Sequence, residues 1–483
     1  MILNCAINSI APFSPTTATP WNARRIAHLY RRLGFGATYD EIQAALNMSP
    51  SELVNVLLDG AASSPLPTPP TWANWTMADY NGDVDLFFQH QTDLQTEWMT
   101  AMAAGNIRSR FALFWHNHFV TAVQNYSCNN YLWTYYSLLN EYAFGNFRTF
   151  TEEIGKCGAM LSYLNGNDNI ADEPNENYAR ELMELFTLGE SNGYTQEDIV
   201  EVARALTGWQ ADDYECTAPF FDASLFDGGM KTIFGESGNW NYDDVHELIF
   251  TMRRDQVAYF ICEKIYKHFV YPEVNTDIIN QMATTFKDNN FELLPVLKQL
   301  FKSEHFFDET LIGSRIKDPV ECFATISKPM NLVVANDYTD DPMGDLVYFS
   351  MLLGQELFNP IDVAGWQGHR DWINENTLAF RWSFVSDFFY SLNDTGKTKL
   401  RDLAVSLSPS LNNPREITEA VANHFIGIPL EEQHLDIAVE YFKSDIPQNY
   451  FDDGSWNLYW NESANQLINL LGYLVRLPEF QLS

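Results

Sequence analysis

Between Glu173 and Gly189 the chain reads EPNENYARELMELFTLG, which sets Glu176, Arg180, Glu181 and Glu184 within nine residues of one helical pattern. Carboxylates three apart share a helix face, so Glu181 and Glu184 could bind one hard or borderline cation. Glu176 could then act as an acid or base, and Arg180 could clamp an anion. The same spacing also builds a solvated face, because Glu176 with Arg180 and Arg180 with Glu184 are i,i+4 pairs worth about 0.2–0.5 kcal/mol each. A second stretch competes with that plainer reading. Phe111 to Val120, FALFWHNHFV, is apolar nearly all round if helical, and its strongly polar members are His116, Asn117 and His118. Buried imidazoles need partners, since an unsatisfied polar group costs about 1–3 kcal/mol, and carboxylates on a neighbouring helix could be acceptors or co-ligands.

His116, His118, Glu181 and Glu184 are therefore the candidate ligands of a divalent metal ion, and Glu176 and Arg180 the candidate catalytic residues. His116 and His118 stand about 200° apart on an α-helix, so both can face one spot only where the helix ends or unwinds. One of them is then structural, as a lone histidine in an apolar helix usually is.

The elements that must position these residues are helical. Thr38 with Glu41, Ser49 with Glu52 and Thr195 with Asp198 are spaced as capping boxes, and Asp59-Gly60 reads as the end of the second of these helices. Helical periodicity runs from about Leu86 to Val120 with a break at Gly105, and returns after Asp243 through AYFICEKIYKHF, PVLKQLF and ANQLINLLGYLV. Residues 61–80, rich in proline and tryptophan, read as an ordered surface connection. From 209 to 242 the signals DGG, GESG and NWN mark an irregular segment with room for a short hairpin. The fold class is mainly α: a large multi-helix array, with no internal repeat of fixed period.

Composition narrows the partners. With 29 basic and 64 acidic residues the chain carries a net charge of −35, which argues against a nucleic-acid backbone or an anionic membrane. Hydrophobic residues make up 46%, enough core material that the acidity belongs to the surface of a folded protein. Six scattered cysteines without a CxxC pair are expected to be mostly buried thiols. No stretch approaches a membrane span, and MILNCAINSIAPF lacks the features of a signal peptide; export is open if a leader was trimmed.

Several motifs fail on inspection. The loop NGNDNIADEPNE puts Asn165, Asn167, Asn169 and Glu176 at calcium-loop positions, but Ile170 replaces the required glycine. His246-Glu247 lacks the second zincin histidine, which Phe250 replaces. Ser314 to Lys317 is a lone SxxK, Glu431 with His434 a single ExxH, and GFGAT is too short for a dinucleotide fingerprint.

Taken together, RRLGFGAT, FWHNHF, PNENYARELMELFTLG, ARALTGW, GQELFNP followed by VAGW, and RLPEF closely resemble the bacterial domain-of-unknown-function family 1800, from about Arg25 to Phe480. The resemblance implies a single domain over 25–480 after an extension of 1–24, with helical halves of about 25–208 and 243–480. It also implies a sulfatase-like or phosphatase-like operon partner. Two departures stand out: Phe226 precedes Asp227 where a His-Asp pair is expected, and Asn359-Pro360 replaces a Pro-Pro. Trp209, Trp366 and Trp372 fall at family positions and read as packing corners or as a sugar-stacking platform. Two functions follow as expectations: a metal-dependent oxidoreductase or hydrolase with a buried His/Glu site, or a non-catalytic binding or assembly protein whose His/Glu/Arg cluster is a structural network.

Overall fold

Helices start where the capping signals place them. The Glu41 carboxylate accepts from the Thr38 N–H at 2.7 Å while the Thr38 hydroxyl accepts from the Glu41 N–H at 3.2 Å. The same reciprocal pair forms between Ser49 and Glu52 and between Thr195 and Asp198, opening the helices Tyr39–Ala45, Pro50–Ser63 and Gln196–Ala205. Gly60 does not end its helix as expected. The helix continues to Ser63 because Leu58 and Ala61 extend the buried face, and the Ser63 hydroxyl closes the end on the Asp59 carbonyl at 2.7 Å.

The computed structural model describes residue 5 and residues 7–332, 334–340 and 342–483. Of the expected N-terminal extension, residues 1–4 and 6 lie outside the described residues. The architecture is mainly α. Helix Val84–Ala103 stops before Gly105, which takes φ 80°, and the next helix, Ile107–His116, is buried from Arg108 onward. That all-round burial is what its apolar sequence requires: Phe111 lies 4.7 Å, centroid to centroid, from both Phe144 and Phe269. Each such phenyl removed from water contributes about 1.5–3 kcal/mol. Helix Arg254–Phe269 packs along Thr276–Asp288, and Glu432–Lys443 along Ser463–Leu474. Buried apolar side chains from Ile10 to Phe480 form one connected cluster.

The irregular segment holds two antiparallel hairpins. Trp209–Asp212 pairs with Thr217–Phe221 through a bulge, and Lys231–Ile233 with Glu236–Gly238. Phe234 and Gly235 at the second turn both have positive φ, 53° and 88°, the geometry that matches the twist of a two-residue hairpin. The first hairpin is tied to the body by a disulfide between Cys128 and Cys216. This pairing corrects the expectation for those two cysteines, whose 88-residue separation hides their proximity. Cys157, Cys262 and Cys322 are buried thiols and Cys5 is half-buried. Among the described residues no helix is long and apolar enough to cross a membrane.

Candidate functional site

The glutamate stretch is not one α-helix. Asn177–Glu181 is α-helical and passes into a π-helix over Leu182–Thr187, with Leu188 N–H reaching back to the Met183 carbonyl at 2.9 Å. Tyr178, Ala179, Leu182, Met183 and Phe186 are buried, as the apolar arc requires. Thr187 is buried too, although a 3.6-residue period puts it with the charges; the wider π turn carries it inward, where its hydroxyl donates to the Leu182 carbonyl at 2.5 Å. On the outer face Arg180 binds Glu176 at 2.8 Å, Glu184 at 3.3 Å and Gln196 at 3.1 Å. With Arg180 and Glu176 35% and 37% exposed, such pairs are worth at most about 1 kcal/mol. Glu181 is half-buried, and burial followed by the Glu184 charge pushes its carboxyl up.

The two predicted segments do meet, through a main-chain carbonyl. The Ile107–His116 helix ends at His116, yet the two imidazoles take separate partners. His116 Nε2 accepts from the Phe358 N–H at 3.0 Å. Its Nδ1–H therefore donates to the Tyr135 hydroxyl at 2.6 Å, which in turn donates to the Phe119 carbonyl at 2.7 Å. Both ring nitrogens are spent, leaving no lone pair for a cation, and burial alone takes the imidazole down to about 3. His118 differs: its Nε2–H donates to the Phe186 carbonyl at 3.1 Å, while its buried Nδ1 has no partner.

His118 lines a cavity of about 330 Å³. One wall is the end of the Ile107–His116 helix with Asn117 and His118, and a second is helix Arg254–Phe269, with Phe260, Glu263, Lys264, Lys267 and His268. Arg315, Asp318 and Gln355 form the floor, and the loop Ala364 to His369 with Trp372 closes the rim. Asn117 holds that loop: its Oδ1 accepts from the Trp366 N–H at 2.6 Å and its Nδ2 donates to the Trp366 carbonyl at 3.1 Å. Gly365, at φ 78°, is forced by this clamp, because a Cβ there would sit 2.3 Å from Asn117 Oδ1. His369 takes the left-handed conformation at φ 50°, a strain often found at functional sites. Four of the lining residues carry a buried atom without a partner: His118 Nδ1, His268 Nε2, His369 Nδ1 and Arg315 Nε.

Its electrostatics oppose those of the whole chain. Behind the floor, Arg110 binds Asp318 at 3.0 Å and Glu321 at 2.8 Å, and Arg315 also binds Glu321. Burial opposes ionisation of Glu321, yet Arg110 and Arg315 hold it at about 2; Asp318 is pushed up by burial and by Glu321. Among the lining side chains the cations Lys264, Lys267 and Arg315 outnumber the carboxylates Glu263 and Asp318. Burial first, and nearby cations second, keep the histidines neutral. His118 is lowered well below its usual value by burial and then Lys264, and His268 by burial and then Arg110, Arg315 and Arg32. Lys264 is lowered to about 8 by burial and then Lys267. The cavity can hold an anion with cationic side chains and offer it neutral imidazoles for proton transfer.

Of the six predicted metal and catalytic residues, His118 lines the cavity, while His116, Glu176, Arg180, Glu181 and Glu184 are not among its walls. Among the described residues no group of three or more His, Cys, Asp or Glu side chains is placed to hold a metal ion. Lys264, His268, Arg315 and His369 were not singled out from sequence. Their one available signal was the clustering of cationic and imidazole types in KIYKHF, SRIK and GHRD. Trp366 and Trp372 line the cavity, whereas Trp209 packs against Phe221 and Tyr242. In the oxygen-rich loop, Asn165 Oδ1 accepts from Asn177 and Asn169 Oδ1 from the Asn175 N–H, so both are engaged internally. Phe226, where a histidine was expected, lies under the Lys231 ammonium at 4.8 Å, and Asp227 binds Arg204 at 2.7 Å.

Four of the stretches that carry the family resemblance meet around His116 to His118: FWHNHF supplies these residues, the glutamate stretch supplies Phe186, and GQELFNP with VAGW supplies Phe358 and Trp366. A family model described as a protein of unknown function, DUF1800, matches residues 28–482. No curated protein and no solved structure gives a significant match.

Proposed function

The chain belongs to the DUF1800 family, and from that premise we propose that the protein binds and acts on a small organic anion in the cavity between His118, Lys264, Arg315 and His369. The observation that carries this reading is the local reversal of charge: a chain of net charge −35 lines one cavity with more cations than carboxylates and leaves four buried polar atoms unpaired on its lining residues. Buried donors and acceptors without partners cost about 1–3 kcal/mol each, a cost that a bound polar ligand relieves. Lys264 and Arg315 hold the anionic group, and His118 Nδ1 accepts a proton or a hydrogen bond from the ligand. Both halves of the chain line this cavity, which supports treating 25–480 as one domain. A sulfatase-like or phosphatase-like partner fits an anion site, because such proteins act on anionic esters.

Titration calorimetry with sulfate, inorganic phosphate and small carboxylates tests the proposal. Binding in the millimolar range or tighter, weakened about tenfold by Lys264→Met, is expected; no binding by any of these anions overturns it. The metal-dependent form keeps His118 as a candidate ligand with Glu181 and Glu184, and elemental analysis of the purified protein decides it: a stoichiometric transition metal supports that form, and its lack removes it. For Glu176, Arg180 and Glu184 a second reading is favoured by their mutual hydrogen bonds, namely a structural network fastening the stretch to Gln196.

A further inference from the structure

The cavity contains one amine that folding does not use. Lys264 lines it, with Nζ 5.0 Å from the Phe260 ring centroid, and forms no ion pair with a described carboxylate. The adjacent Glu263 is committed elsewhere, binding Lys267 at 2.5 Å. A lysine crowded by Phe260 and Leu113 ordinarily gains a carboxylate. Without one, the neutral form is more populated than in a free lysine, consistent with its shift to about 8, and a neutral desolvated amine is a nucleophile. Arg315 on the same cavity supplies an anchor for a carboxylate, while His118 Nδ1 supplies a proton acceptor.

Resting on the anion-site reading above, we propose that Lys264 is a nucleophilic residue that forms an imine with the carbonyl carbon of a small 2-oxo carboxylate. The Nζ lone pair attacks that carbon while the C=O pair moves onto oxygen, which takes a proton from a solvent water, leaving hydroxide, and nitrogen gives up a proton to His118 Nδ1. The carbinolamine oxygen is then protonated by the His118 imidazolium and leaves as water as the nitrogen lone pair closes C=N, and the resulting protonated imine gives its N–H proton to the hydroxide left by the first transfer. Amine and carbonyl become imine and water, with no oxidant or reductant consumed.

The test treats the intact protein with pyruvate and cyanoborohydride at neutral pH and maps reduced adducts by peptide mass spectrometry. Lys264 should be labelled about tenfold or more faster than Lys267 on the same helix, reflecting its larger neutral fraction. Excess sulfate should slow labelling at Lys264 and leave Lys267 unchanged. Labelling at Lys264 no faster than at Lys267 overturns the proposal. If sulfate still binds calorimetrically in that case, the amine chemistry fails and the anion site stands; if sulfate does not bind either, both fail. Lys264→Arg, which keeps the charge, should retain sulfate binding and lose the fast label.

Discussion

Lowering the pH from 7.5 to 5.5 should strip several kcal/mol of folding stability from this protein. His116 is lowered to about 3, and His246 and His424 to about 4, in each case first by burial. In the unfolded chain they titrate near 6.5, so below that pH the unfolded state binds protons that the folded state refuses. Stability contributed this way is complete above 6.5 and falls as the pH drops toward the folded values. Between pH 7.5 and 5.5 each histidine costs about 1.4 kcal/mol, and the three together about 4. His28, His118 and His268, lowered well below 6.5 first by burial, add to the loss in the same direction. Lys317, lowered to about 7 by burial, acts in the same direction because its unfolded form holds the proton more tightly. Against a typical stability of about 5–15 kcal/mol this decides whether the fold persists. Urea unfolding followed by tryptophan fluorescence at pH 7.5, 6.5 and 5.5 measures it. His246→Gln, which removes one titrating group whose Nδ1 contacts the Tyr242 carbonyl at 2.9 Å, should recover about 1.4 kcal/mol of the acid-induced loss. Stability constant to within about 1 kcal/mol across that range would refute the reasoning.

Removing the charge of Glu321 by Glu321→Gln should cost about 3–5 kcal/mol, because Arg110 and Arg315 lose their shared buried partner; chemical denaturation reads it directly. Reducing the Cys128–Cys216 disulfide should lower stability by about 4–5 kcal/mol on the chain-entropy account of its 88-residue loop, seen as a fall in Tm with dithiothreitol that Cys128→Ser no longer shows. Gly365→Ala should break the Asn117 clamp on Trp366 and weaken sulfate binding while leaving helical circular dichroism unchanged. Sulfate affinity should fall as pH rises through about 8, where Lys264 loses its proton, and this dependence should vanish in Lys264→Met.

The helical class, the capping boxes and the buried character of the Ile107–His116 helix were legible in sequence because each rests on contacts between residues a few positions apart. The π turn was not: its extra residue per turn depends on packing around Phe186 and on Thr187 reaching the Leu182 carbonyl. That local change of period turned a main-chain carbonyl toward His118 and left the glutamates on an outer face. Sequence by itself determined that this is an acidic helical protein with polar groups that had to be buried and partnered. Tertiary structure decided the partners, giving His116 a tyrosine and a backbone N–H, His118 a carbonyl, and the unpaired cations a common cavity. Those assignments join segments from His118 to His369, and long-range contacts of that kind are set by how helices pack and by the cost of stranding a buried charge, neither of which leaves a fixed spacing along the chain.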